Sequence, residues 1–256
     1  MRLNQKGNHH LHVLTQENSL YQEITVYESN ELYGETGRFR CLQFADDAVQ
    51  GAMDLRDRNH IVLEYPRVMI HLMEKNNSFF ERALIIGHGI GTIASQYPSK
   101  SITVAELDAK VVELSRVWFD YQLDNVVVGD GREVLSEIEA DSLDYILVDA
   151  FTKEGTPSRL TSVEFFQLAL VKLNASGAIL LNVTGRLKND RLINAIYSTL
   201  GEMVPYTKAW ALPAKDVSDI RNIVMMGSRH TIQCEPKQME GFCEIELVPG
   251  HIIRDK

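Results

Sequence analysis

Cysteine is scarce: three residues, Cys41, Cys234 and Cys243, form no CxxC pair and no even-numbered framework. That excludes a disulfide-stapled secreted scaffold and points to reduced thiols in a cytoplasmic protein. Long apolar runs are absent, none approaching the roughly 20 residues of a membrane-spanning helix, so no membrane contact is expected. Basic residues are outnumbered, 26 Lys and Arg against 35 Asp and Glu, for a formal charge of -9. This balance argues against a grip on nucleic-acid phosphates and suits a cationic small molecule. Residues 1–14 carry Arg2 and Lys6 but no apolar core followed by a small-residue cleavage site, so no secretory signal is expected. The cluster His9-His10-Leu11-His12 has no Cys or carboxylate at zinc spacing beside it, and no metal site is assigned there.

What is present is 45% apolar residues in 256, enough for one large α/β domain with a modest addition. Between Ser19 and about Met53, alternating stretches such as Tyr21–Tyr27 and Phe39–Phe44, with Gly34 and Gly37 between them, read as a small antiparallel unit. A helix is expected over His60–Glu74, bent or restarted by Pro66. Strands then alternate with helices. Ala83–Ile86, Ser101–Ala105, Asn125–Val128, Leu143–Val148 and Ala178–Val183 read as a mostly parallel sheet. Helices are expected over Asp108–Tyr121, with Val117 and Trp118 on its inner face, over Asp190–Leu200, and from a capping box at Thr161-Ser162-Val163-Glu164 through Leu173. Thr207–Ala211 and Asn222–Met226 read as a closing pair. The division expected is an N-terminal β-hairpin unit, 1–59, and a Rossmann-like nucleoside-binding domain, 60–256.

Four short stretches follow apolar strands in order: Ile86-Gly87-His88-Gly89-Ile90-Gly91-Thr92, Ala105-Glu106-Leu107-Asp108, Gly129-Asp130-Gly131 and Val148-Asp149-Ala150-Phe151. Strand ends of this kind form the ligand edge of open α/β sheets. Gly87, Gly89 and Gly91 allow a tight turn and close approach to a ligand, with a following helix presenting its amides. Glu106, nineteen positions past Gly87, stands where a carboxylate takes ribose hydroxyls. The GxGxG spacing differs from the dinucleotide GxGxxG and suits an S-adenosyl ligand, with Asp130 accepting the adenine amine or else capping the next helix.

These stretches, with Tyr21-Gln22-Glu23-Ile24 and Asp46 to Gln50, resemble the spermidine synthase (polyamine aminopropyltransferase) family, a branch of the class I S-adenosylmethionine-dependent methyltransferase fold. The resemblance runs from Tyr21 to about Gly227. It implies that Asp149 is the proton acceptor, that Glu106 holds the ribose and that Asp130 with Gly131 holds the adenine. It also implies that Gln22, on the donor side, and His60, on the acceptor side, contact the bound amine or aminopropyl region. An alkylammonium with a pKa of about 10.4 cannot attack a sulfonium carbon until it loses a proton, which is why a carboxylate is needed.

The chain departs from the family pattern where the amine ends are held. Ile90 stands where the family usually has an Asp, Asn59-His60-Ile61 replaces a Tyr-His-Glu triplet, and Thr152 replaces the second acid of the loop after strand four. The stretch Pro213–Asp216 lacks a tyrosine. The expectation is therefore an aminopropyltransferase-like enzyme with a diverged acceptor site. Its co-substrate would be decarboxylated S-adenosylmethionine or S-adenosylmethionine, with no tightly bound cofactor, a putrescine-like amine as acceptor and a homodimer as the assembly. A methyltransferase and a non-catalytic nucleoside-binding homologue are the alternatives.

Overall fold

The computed structural model describes residues 11–45, 49–152, 155–213, 216 and 219–255. Strands β1 (His12–Asn18), β2 (Glu23–Leu32), β3 (Glu35–Phe44) and β4 (Val49–Asp54) pair in sequence order as an antiparallel sheet. Helix α1 (Glu64–Asn76) then leads into alternating β5 (Arg82–Ile86), α2 (Thr92–Ser95), β6 (Ser101–Glu106), α3 (Ala109–Trp118), β7 (Val126–Val128), α4 (Gly131–Glu137) and β8 (Leu143–Val148). The chain continues through α5 (Val163–Lys172), β9 (Leu173–Arg186), α6 (Arg191–Met203), β10 (Tyr206–Ala211), β11 (Ile220–Ser228) and β12 (Cys243–Glu244).

The second sheet has the order β12-β10-β11-β9-β8-β5-β6-β7. Strands β9, β8, β5, β6 and β7 run parallel, and β10, β11 and β12 add antiparallel pairings. Its central strands are buried on both faces, which is why they read as continuous apolar runs. Leu84, Ile86, Ile146 and Val148 point into a core shared with Phe165, Phe166 and Ile196 of α5 and α6. Their neighbours Ile85, Tyr145 and Leu147 point the other way, onto Val68, Met69 and Leu72 of α1. The antiparallel sheet also uses both faces. Ile24, Val26 and Leu42 join Ile90 and the α3 residues Val111 and Leu114 in one core, whereas Tyr27, Phe39 and Cys41 pack with Val62 and Leu63. Ile90 of the glycine turn thus packs against the antiparallel sheet and α3.

Several boundaries differ from the sequence expectation, each for a local reason. The helix expected from His60 begins at Glu64, because Ile61 is still extended and bridges Met53. Pro66 falls in that helix's first turn, where no backbone donor is required, and starts the helix rather than bending it. The cap of α5 is Ser162, whose Oγ accepts from Phe165 N at 3.2 Å, and the Thr161 hydroxyl instead donates to Ser158 O at 3.3 Å. α3 ends at Trp118, three residues early, and Val117 faces outward at 62% exposure. The fifth parallel strand starts at Leu173, not Ala178, and β1 was not anticipated. The helix after the glycine turn is a single turn, too short for a helix dipole to dominate ligand binding.

Candidate functional site

Parallel pairing sets the strand ends side by side. Ile86 of β5 is level with Ala105 on β6 and Val148 on β8, and Glu106 is level with Val128 on β7. Backbone bonds of 2.8 Å extend the ladders past the strands, from Gly87 N to Ala105 O, Gly129 N to Glu106 O and Asp149 N to Ile86 O. The glycine turn, Glu106, Asp130 and Asp149 therefore lie along one edge of four neighbouring strands. The chain leaves β5 toward β6 and β7 on one side and returns to β8 on the other, the switch point at which such sheets open a crevice.

The turn itself has no room for side chains at two of its glycines. Gly87, at φ 102°, would place a Cβ 2.0 Å from the Asp149 carbonyl oxygen, and Gly91, at φ 81°, would place one 2.2 Å from the Tyr121 ring. Glu106 ties the turn down. Its Oε2 accepts from His88 N at 2.8 Å and its Oε1 from Asp108 N at 2.9 Å. Burial raises the affinity of this carboxyl for its proton, while the Asp108 and His88 amides pull it back. A carboxylate has about four lone-pair sites, so capacity remains for a ligand hydroxyl.

His88 is buried beneath the same turn, its Nε2 2.7 Å from Ser115 Oγ. The Ser115 hydroxyl donates to Val112 O at 2.8 Å, so Nε2 must carry the hydrogen and Nδ1 is the acceptor. Burial, with a smaller contribution from Arg116, pushes this imidazole down to about 4, and it is neutral at physiological pH. Its Nδ1 is buried without a hydrogen-bond partner among the described residues.

Asp130 does what an N-cap does. Its Oδ1 accepts from Arg132 N at 3.0 Å and Glu133 N at 3.2 Å, and its Oδ2 pairs with Arg159 Nη1 at 2.9 Å. Gly131 is the buried first residue of α4.

Asp149 has a different environment, made of side chains. Tyr65 OH donates to its Oδ2 at 3.0 Å and Asn182 Nδ2 to its Oδ1 at 2.8 Å; Asn182 Oδ1 in turn accepts from Asn222 Nδ2 at 2.9 Å. Burial pushes the carboxyl up to about 6, against the lowering effect of the Asn182 and Tyr65 bonds. Burial and the neighbouring carboxylate hold the Tyr65 phenol well above its ordinary value, so it remains a donor.

A cavity below the glycine turn is lined by Gln50, Tyr65, Gly87, His88, Ile90 and Asp149, among others. Gln50 comes from the Asp46–Gln50 stretch, of which residues 46–48 lie outside the described residues. Six anticipated residues do not line this cavity: Glu106, Asp130 and Gly131 of the strand edge, and Gln22, His60 and Thr152. Gln22 sits in the turn before β2, its carbonyl accepting from Ser19 Oγ at 3.0 Å. His60 Nδ1 lies 3.3 Å from Asp54 Oδ2 at the end of β4. The Thr152 hydroxyl is exposed and donates to Gly155 O at 2.9 Å. Ala214 and Lys215 of the Pro213–Asp216 stretch lie outside the described residues. Sequence reasoning missed Tyr65, His88, Asn182 and Asn222 as site residues. Asn182 was signalled only by standing inside an apolar strand.

The sheet order and the glycine turn at its switch point define the class: an α/β protein of the methyltransferase-like fold, preceded by a four-stranded antiparallel sheet. Residues 63–234 match the model of the spermine/spermidine synthase domain, and the chain belongs to that family. It is 30% identical over 183 residues to a polyamine aminopropyltransferase of Vibrio vulnificus, a match covering 66% of this chain and 58% of that relative's length. The chain thus spans less than two thirds of that relative. A probable spermidine synthase from Corynebacterium glutamicum has a similar structure, with a TM-score of 0.76 at 22% identity over 91% of this chain and 90% of the other. Human methyltransferase-like protein 13, solved in complex with SAH, shares the fold at a TM-score of 0.55 and 17% identity, over 70% of this chain and 90% of its own. Among the described residues no helix is long and apolar enough to cross a membrane, and no group of three or more His, Cys, Asp or Glu could hold a metal ion.

Proposed function

We propose that this chain is an aminopropyltransferase that binds decarboxylated S-adenosylmethionine along the β5–β6–β7 edge and transfers its aminopropyl group to an amine at Asp149. The observation that carries this reading is the buried Asp149 carboxylate beside the glycine turn, its carboxyl raised to about 6. The amine gives its proton to Asp149 and its freed lone pair forms the new N–C bond. The carbon–sulfur bond breaks with its electrons going to sulfur, leaving neutral methylthioadenosine. Proton transfer from an ammonium near 10.4 to an ordinary aspartate is uphill by about 9 kcal/mol, and to a carboxyl near 6 by about 6 kcal/mol. Burial of Asp149 therefore contributes about 3 kcal/mol to that step. The sulfonium is already activated, so the remaining work is alignment.

In this reading Gly87, Gly89, Gly91 and Glu106 hold the sugar and the sulfonium arm, and Asp130 with Gly131 the adenine. Gln22 serves the donor chain, and His60 and Thr152 the acceptor. Residues 1–59 form the smaller unit beside the nucleoside-binding domain of residues 60–256. Ile90 supplies hydrocarbon, packed with Ile24, Val26 and Leu42, where a carboxylate would hold a donor ammonium. The reading includes a homodimer and, given three unpaired thiols, the cytoplasm.

The test is incubation of the full chain with decarboxylated S-adenosylmethionine and a panel of mono- and diamines. Methylthioadenosine should appear together with an aminopropylated amine. S-adenosylhomocysteine formed only from intact S-adenosylmethionine would replace the reading with methyl transfer, and tight nucleoside binding without either product would overturn it.

A further inference from the structure

Asn182 is wholly buried on β9 between Leu181 and Val183, where a polar side chain is tolerated only if its atoms are paired. Both ends of its amide are used, Nδ2 on Asp149 and Oδ1 on Asn222. In the β9–β11 register Asn182 stands opposite Val224 and Asn222 opposite Thr184, so the two asparagines are diagonal neighbours on the same face. We propose that Asn222 is a positioning residue for Asp149, acting through Asn182. This rests on the reading of Asp149 as the proton acceptor.

The argument turns on which way the Asn182 amide points. Its oxygen and its NH2 are nearly the same size, so packing alone does not choose between two orientations related by a half-turn. In one, NH2 faces Asp149 and favours the ionised carboxylate. In the other, a carbonyl oxygen faces Asp149, repels the ionised form and accepts from the protonated one. With the Asn222 NH2 turned to Asn182 Oδ1 at 2.9 Å, the first orientation is the one in which a donor meets an acceptor at both ends of the Asn182 amide. Asn222 thereby keeps the proton acceptor ionised and aimed without touching it.

The groups facing Asp149 come from three directions. Tyr65 from α1 is the titratable group bonded to it, β9 supplies the neutral Asn182 amide with Asn222 of β11 behind it, and the glycine turn supplies backbone and His88, which lines the same cavity. Arg221, next to Asn222, is engaged by Asp219 at 2.7 Å.

The experiment is a carboxyl carbon-13 NMR titration of Asp149 in the full-length chain, in the parent and in Asn222→Ala, Asn222→Val and Asn182→Ala. The β-branched valine covers the case in which alanine does not fold on β11. Asn182→Ala removes a direct donor and should raise the proton affinity of Asp149 about tenfold, one pH unit. The Asn222 variants should raise it about threefold, half a unit, in the same direction. The acid limb of the pH–rate profile should move by the same amounts. An Asp149 titration unchanged or lowered in a folded Asn222 variant overturns the proposal. Absence of turnover across the amine panel overturns the transferase reading instead, while the carboxyl titration still decides whether Asn222 governs Asp149.

Discussion

The two halves of the ligand edge hold their carboxylates in opposite ways. On the β6–β7 side, Glu106 and Asp130 are fixed by backbone amides, as strand-end and helix-cap groups are, with the half-exposed Arg159 the one side chain paired to Asp130 among the described residues. On the β8 side, Asp149 is fixed by the side chains of Tyr65 and Asn182, borne on α1 and β9. Backbone donors come with the fold and change little with sequence, so they suit recognition of a constant group such as a nucleoside. Side-chain donors can be exchanged one at a time, and the acidity they set can be retuned. The departures from the family pattern fall on this exchangeable side and on the donor tail, at Asn59, Ile61, Thr152 and Ile90.

The strongest attempt to break that contrast is Asp149→Asn. If Asp149 is the proton acceptor, turnover should fall about 10²–10⁴-fold, with methylthioadenosine affinity little changed in calorimetry. The parent's rate should fall below about pH 6, where the carboxyl takes up its proton. Stability should move the other way. The folded carboxyl is raised from 3.8 to about 6, so its stabilising contribution is full below about pH 4 and lost as pH rises through 6. Above that pH the parent carries a buried charge that the variant lacks. Asp149→Asn should therefore melt a few degrees higher at pH 8 and show no such gain at pH 4, as read by calorimetric scans. A melting difference independent of pH would mean that Asp149 is not the buried, raised acid described above.

Glu106→Gln probes the other half and should have a smaller effect. A carboxamide has one accepting oxygen where the carboxylate has two, so either the His88 or the Asp108 amide loses its partner. Methylthioadenosine affinity should drop about 10- to 100-fold. The acid limb near pH 6 should stay in place, because Glu106 has no bond to Asp149. A moved limb would show that the two halves are electrostatically coupled and would weaken the contrast.

Residues held by local rules were legible in the sequence, and those held by distant partners were not. Apolar runs such as Leu84–Ile86 and Leu143–Val148 announce strands because both faces of the sheet are covered, and the glycines announce a turn because Gly87 and Gly91 require positive φ. Glu106, Asp130 and Asp149 stand out because they end such runs. Tyr65 and Asn182 meet Asp149 across 84 and 33 residues, and Asn222 meets Asn182 across 40. No local spacing encodes those meetings; strand order and helix packing do. Boundaries slipped where polar residues belong to a regular element, as in Asn174 and Ser176 at the start of β9.

Asp130 carries the smallest expected effect and gives the sharpest test of the backbone-held half, because one carboxylate is assigned two duties. Its Oδ1 caps α4, and its Oδ2 is taken by Arg159, half-exposed, in an ion pair worth about 0–1 kcal/mol. Asp130→Ala removes both duties and should cost about 1 kcal/mol of stability through the lost cap, read by urea unfolding. Asp130→Ser restores a capping oxygen without charge or reach, so stability should return while any contact with an adenine amine stays lost. If the nucleoside uses this carboxylate, both variants bind methylthioadenosine more weakly than the parent, by about tenfold for a lost charge-assisted bond. If Asp130 only caps, affinity follows stability, and Asp130→Ser binds as the parent does. In that second case the nucleoside duty falls to Glu106 and the glycine turn alone, and the backbone-held half is narrower than the strand edge that carries it.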